Sequence, residues 1–156
     1  MIGKYIRFLL PAICLSLLAG CRNASSSREE DMADAIQPVA ELAMTLSDRS
    51  FYPEPQDNET ARAFLALLEK DPLQLDFTPD ESGFSTLLEA ELPADFQEMD
   101  AEAGDILLRE DGMLVICTKA CSGRFVRIAR TYRPQELAEC LEHPVTGVVF
   151  WLQWSE

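Results

Sequence analysis

The sequence predicts a mainly β fold with two helices, built as an antiparallel, barrel-like core. Short runs between residues 38 and 156 alternate apolar and polar side chains, the period of a half-buried strand. Two stretches, one around Ala61 to Leu68 and one from Pro134 to Glu142, instead carry their apolar residues at helical spacing. The last run, Thr146 to Trp154, is apolar on both faces, which suits a strand in the middle of a sheet. Many short strands with two helices suit a curved sheet whose ends the helices cover.

The elements follow in order. Ala40, Leu42, Met44 and Leu46 share one parity and make a strand with one buried face. Ser47 to Ser50 is a turn, and Phe51-Tyr52 starts a short strand that Pro53 and Pro55 end or hold at an edge. Asn58 is placed to cap a helix in which Ala61, Phe64, Leu65 and Leu68 form one apolar face, and Asp71-Pro72 stops it. Leu73, Leu75 and Phe77 alternate as a strand, and Pro79 to Gly83 turns the chain. Phe84 to Leu92 fits a strand or a helical turn, and Ala94 to Ala103 reads as an acidic loop. Three strands come next, Ile106 to Leu108, Met113 to Thr118 and Phe125 to Tyr132. The hairpin signal Glu110-Asp111-Gly112 and a turn over Lys119 to Arg124 separate them.

The first twenty residues stand outside this domain. Lys4 and Arg7, an apolar run from Phe8 to Leu18 and small residues before Cys21 make a secretory signal too short for a membrane span. Leu18-Ala19-Gly20-Cys21 resembles the lipobox of bacterial lipoproteins. The resemblance implies lipidation of the Cys21 thiol, cleavage before Cys21 and acylation of the new amino group. The competing reading is an ordinary signal peptide with a chance cysteine. Lipidation would make the membrane a partner through Cys21, at about 0.8 kcal/mol per buried CH₂. Arg22 in place of aspartate suits the periplasmic face of the outer membrane if the envelope is Gram-negative. The expected organisation is a signal peptide over 1–20, a polar tether over 21–37 and the β domain over 38–156.

Without residues 1–20, 11 basic and 27 acidic residues remain, a net charge of −16. A surface this acidic repels phosphate backbones, so no nucleic-acid partner is expected. No acid cluster has the spacing of a calcium loop.

Several motifs in order resemble a known family. Asp57-Asn58-Glu59-Thr60-Ala61-Arg62-Ala63-Phe64 matches its helix start, and Leu73 to Phe77 the strand after it. Leu92-Pro93, Gly104-Asp105-Ile106, Leu114-Val115-Ile116 and Val126 to Arg130 follow in its order, with Ala129 where the family has glycine. The chain over residues 40–154 is similar to the bacterial cyclophilin-like family of small β-barrels. The resemblance implies a closed barrel with a helix over each open end. It does not carry over prolyl isomerase activity, because fold does not fix function. The Phe-His-Arg segment of true cyclophilins is absent, and the only histidine is His143.

No catalytic residue, metal or cofactor is therefore expected. A hydrolase needs a base beside its nucleophile, and His143 sits in a helix-ending His-Pro. Cys117, Cys121, Cys140 and His143 are a weak zinc set; a disulfide among Cys117, Cys121 and Cys140 fits an export compartment better. On a straight strand Cys117 and Cys121 would stand about 13 Å apart, so pairing requires the turn between them.

Six of the 11 mature cations fall within residues 109–133: Arg109, Lys119, Arg124, Arg127, Arg130 and Arg133. Arg127, Arg130 and Asp105 are the candidate ligand-binding residues. Parity points Arg127 and Arg130 to opposite faces of one strand, one of them lining a groove for an acidic group or peptide carbonyl. Pairing with surface carboxylates is the alternative, and Asp105 after Gly104 suits a turn or cap acid. Trp151 and Trp154 read as core and rim. The function expected is a non-catalytic binding or interaction module for an envelope peptide or small ligand. A prolyl isomerase or other enzyme on the same barrel is the alternative.

Overall fold

A computed structural model describes residues 39–142 and 144–155. The expected signal peptide and tether, with Cys21, and His143 lie outside the described residues. The chain forms β1 (Ala40–Leu46), β2 (Arg49–Phe51), β3 (Glu54–Pro55), α1 (Glu59–Lys70), β4 (Leu73–Asp80) and β5 (Gly83–Leu87). It continues through β6 (Gln97–Ala101), β7 (Asp105–Arg109), β8 (Met113–Cys117), β9 (Cys121–Arg130), α2 (Pro134–Cys140) and β10 (Val145–Trp154).

Nine strands run in the order β2-β1-β10-β4-β5-β8-β7-β9-β3, and β6 pairs with β9 off that path. The sheet is strongly curled but open, so the closed barrel does not form. Its two edges, β2 and β3, are consecutive in sequence yet make no ladder with each other. Pro53 lies between them and Pro55 within β3, and neither can donate a backbone N–H to a ladder. As the two-sided apolar pattern predicts, β10 is internal, with β1 on one side and β4 on the other.

The concave face buries Leu42, Met44, Leu46, Phe77, Ile106, Ile116, Ile128 and Phe150. α1 packs onto it because its cap and its period agree. Asn58 Oδ1 accepts the Ala61 N–H at 2.8 Å, and Ala61, Phe64 and Leu68 face inward. Phe64 meets Phe150 edge-on at 5.6 Å between ring centroids. α2 adds Leu137 and Leu141 to the same core.

One open choice is settled and two expectations are overturned. Gly83–Leu87 is a strand, which resolves the choice at Phe84. Gln97–Ala101, expected as loop, is β6, its backbone paired with Cys121–Phe125 although its side chains are mostly polar. β9 starts at Cys121, so Gly123 lies in a strand, paired with Met99, rather than in a turn.

The pairing bends β9 sharply. Ala101 pairs with Cys121 and Asp105 with Arg130, so four residues of chain bridge positions nine apart on β9. Nine straight strand residues would span about 30 Å, and four residues reach at most about 14 Å. The first half of β9 and β6 therefore fold over the convex face of β7 and β8. A second, smaller core of Ala101, Leu107, Val115, Cys117 and Phe125 lies between these layers.

Candidate functional site

β7 sets the geometry of the convex face. Asp105, Leu107 and Arg109 share that face, and Ile106 and Leu108 enter the main core. Opposite β7, the ladder slips: Ile106 pairs with Ala129 and Leu107 with Arg127. One extra residue is accommodated in β9, and Ile128 and Ala129 both turn inward against Ile106. The bulge reverses the parity argument. Arg127 and Arg130, three residues apart, point to the same face, not opposite ones, and both reach Asp105. A signal was available in the sequence, since Arg127-Ile128-Ala129-Arg130 breaks the alternation with a doubled apolar pair.

Asp105 is fully buried and its carboxylate accepts three hydrogen bonds. Oδ1 accepts from Arg130 Nε at 2.7 Å; Oδ2 accepts from Arg130 Nη2 at 3.3 Å and from the Glu102 N–H at 2.9 Å. It is thus both the expected turn acid and the partner of the arginines. Gly104 before it takes a φ of +95°, and a Cβ there would lie 2.7 Å from the Thr131 carbonyl, so only glycine fits. Its N–H donates to the Cys117 carbonyl and its own carbonyl accepts from Thr131. These bonds tie the Asp105 turn to the ends of β8 and β9.

The two arginines are used differently. Arg130 is committed to Asp105, with the exposed Glu102 3.7 Å away, and Asp105 raises its pKa. Arg127 Nε lies 3.2 Å from Asp105 Oδ1 without hydrogen-bond geometry, and this buried N–H has no hydrogen-bond partner among the described residues. An orphaned buried donor costs about 1–3 kcal/mol and calls for an explanation. Among the described residues no other side-chain contact holds the Arg127 guanidinium, which is 23% exposed. Asn58 positions this residue from below: its Oδ1 caps α1 while its Nδ2 donates to the Arg127 carbonyl at 2.7 Å. Only the capping half of that role was legible in the sequence.

At the other end of β7, Arg109 is enclosed by acids. Its Nε donates to both Asp111 oxygens at 3.0 Å, Nη2 to Asp111 Oδ2 at 2.9 Å and Nη1 to Asp80 Oδ2 at 2.9 Å. Arg109 holds the Asp111 carboxyl below its ordinary value. Burial pushes Asp80 up, but hydrogen bonds from Ser85, the Ser82 N–H and Arg109 outweigh it and lower it overall. A cavity of about 460 Å³ opens there, lined by Asp80, Ser82, Arg109, Gly123 and Phe125. It is the more concave ground, and three of its guanidinium's five N–H groups are already bonded to carboxylates.

The remaining candidates separate. Cys117 and Cys121 meet, with Sγ atoms 3.9 Å apart, and Cys140 lines a different cavity with Ser47, Glu142 and Val145. Among the described residues no group of three or more His, Cys, Asp or Glu is placed to hold a metal. Trp151 is half-buried and donates to Thr45 Oγ1 at 3.2 Å, outside the main core, and Trp154 is exposed. Arg133 covers the Phe51 ring at 5.3 Å, and Arg124 bonds Glu110.

Comparison with known proteins agrees with this architecture. The family model described as the cyclophilin-like family matches residues 44–148, about two-thirds of the chain. No curated protein and no solved structure matches it.

Proposed function

This chain belongs to the cyclophilin-like family, and we propose that it is a lipid-anchored binding module of the cell envelope. Its ligand is a carboxylate or peptide carbonyl taken at Arg127, and it catalyses no reaction. The observation that carries the binding is the bulge-driven meeting of Arg127 and Arg130 on buried Asp105, with Arg127 left holding a buried donor and no hydrogen bond. Two guanidiniums meet on the one buried carboxylate, and the exposed Glu102 pairs with Arg130 rather than with Arg127. A planar guanidinium offers two parallel N–H groups that match a carboxylate. Arg130 keeps the acid neutralised, so Arg127 can serve an incoming group.

The anchor reading is supported by the basic start, the apolar run and Leu18-Ala19-Gly20-Cys21. Acyl chains on Cys21 would hold the protein at the envelope, on the periplasmic face of the outer membrane in a Gram-negative cell. The domain then needs no lipid contact of its own. Growth with labelled palmitate tests this: label and membrane retention are expected for the native chain and lost in Cys21→Ser. Label that survives the substitution overturns the anchor. Proline-peptide turnover assays test the absence of catalysis. Isomerisation by the native chain that disappears in Arg127→Gln would make the same residues an active site.

A further inference from the structure

We propose that Cys117 and Cys121 form a reversible disulfide across the turn joining β8 to β9. Their Sγ atoms stand 3.9 Å apart, in contact. Closing to a bond of about 2.05 Å takes an approach of about 2 Å. The segment that must give, Thr118 to Ala120, belongs to no strand or helix. β8 and β9 are not sheet neighbours, because β7 lies between them, so no ladder joining the two strands resists the movement. Cys117 is enclosed by Leu107, Val115 and Phe125, whereas Cys121 sits half-exposed at the rim of that small core.

This difference in access orders the chemistry. The oxidant is an external disulfide, carried by a small thiol or by a thiol–disulfide oxidoreductase. The Cys121 thiolate attacks one of its sulfurs, expels the first thiolate and becomes a mixed disulfide. Cys117 then gives up its proton to solvent as its sulfur attacks Cys121 Sγ, and the second thiolate leaves. Two protein thiols are oxidised to one disulfide, and the external disulfide is reduced to two thiols. Burial, with Cys121 and Asp105 beside it, pushes the Cys117 thiol well up, so it does not compete for the first attack. The bond would form next to the arginine face, since the Cys117 carbonyl holds the Gly104 N–H at 2.8 Å.

The test is oxidation of the full chain, purified in detergent, with oxidised glutathione, followed by acid quench, alkylation and peptide mapping. A Cys117–Cys121 cross-link is expected in the native chain and in Cys140→Ser alike, and dithiothreitol should reverse it. Cys117→Ala should instead retain glutathione on Cys121. If that variant fails to fold, the native time course replaces it, with glutathionyl-Cys121 expected to precede the cross-link. A bond to Cys140, disulfide-linked dimers, or Cys117 and Cys121 both remaining alkylatable overturns the proposal.

Discussion

The two ends of β7 carry the same kinds of side chain, arranged around different centres. At one end a buried acid, Asp105, faces two arginines; at the other a single arginine, Arg109, faces two acids, Asp80 and Asp111. Both clusters lie on the convex face, with Leu107 between them. Arg109 bonds carboxylates through its Nε and both terminal nitrogens, three of its five N–H groups. At the Asp105 end the acid accepts three hydrogen bonds, and the Arg127 Nε–H makes none among the described residues. Whether the guanidinium is hydrogen-bonded by its acids, more than the presence of charge, separates a structural ion pair from a candidate binding face.

Stability measurements can break this contrast. The largest effect is expected for Asp105→Ala, which strands two arginines beside a buried position. Losing one partner of a buried pair costs about 3–5 kcal/mol, and the partial exposure of Arg127 and Arg130 places the loss near the lower figure. Asp111→Ala, at a carboxylate that is 54% exposed, should cost under about 1 kcal/mol. Urea unfolding of both variants decides it; equal losses would mean that the two ends are equivalent.

The arginines give the next contrast. Arg109→Met leaves half-buried Asp80 without its cation and should cost about 1–2 kcal/mol. Arg127→Gln removes an ion pair to Asp105 but no side-chain hydrogen bond seen among the described residues, and with Arg130 still on the acid it should cost under about 1 kcal/mol, less than Arg109→Met. An Arg127 variant as costly as the Arg109 one would make Arg127 a structural residue.

The smallest effect is in pH. Asp80 and Asp111 are both held below their ordinary value of 3.8 in the folded chain. Their contribution is therefore fully present above that value and is lost as pH falls through the lowered ones. Both are partly exposed, so salt should weaken the effect. The acid-side fall in urea midpoint should be shallower in Arg109→Met; an unchanged slope would detach these carboxyls from Arg109.

What the sequence showed of this arrangement follows from the range of the forces involved. The α1 cap at Asn58, its apolar face and the Gly112 hairpin rest on neighbours within a few residues, and they formed as read. β10 was legible because burial on both sides leaves a two-faced apolar run. The β6 strand was not, because polar Gln97 to Asp100 become strand only through pairing with β9, which lies beyond two other strands in sequence. The open sheet was missed for a similar reason: whether edge strands pair depends on where Pro53 and Pro55 bring the chain. At the site, Asp105, Arg127 and Arg130 were recognisable as residues, but their meeting depended on the extra residue in β9. The doubled apolar pair Ile128-Ala129 was the local sign of it, and a parity count that assumes one regular strand passes over it.

The measurement closest to the central claim is an NMR titration of the Arg127 Nε–H in the native chain. The probes are N-acetyl-dialanine with a free C-terminal carboxylate and the same peptide as its amide. The carboxylate should shift the Arg127 Nε–H saturably and leave the Arg109 Nε–H in place, the amide should act more weakly, and Arg127→Gln should abolish the response of neighbouring backbone amides. Unmoved Arg127 signals, or the same amide shifts in Arg127→Gln, would contradict a binding face built on the unsatisfied arginine.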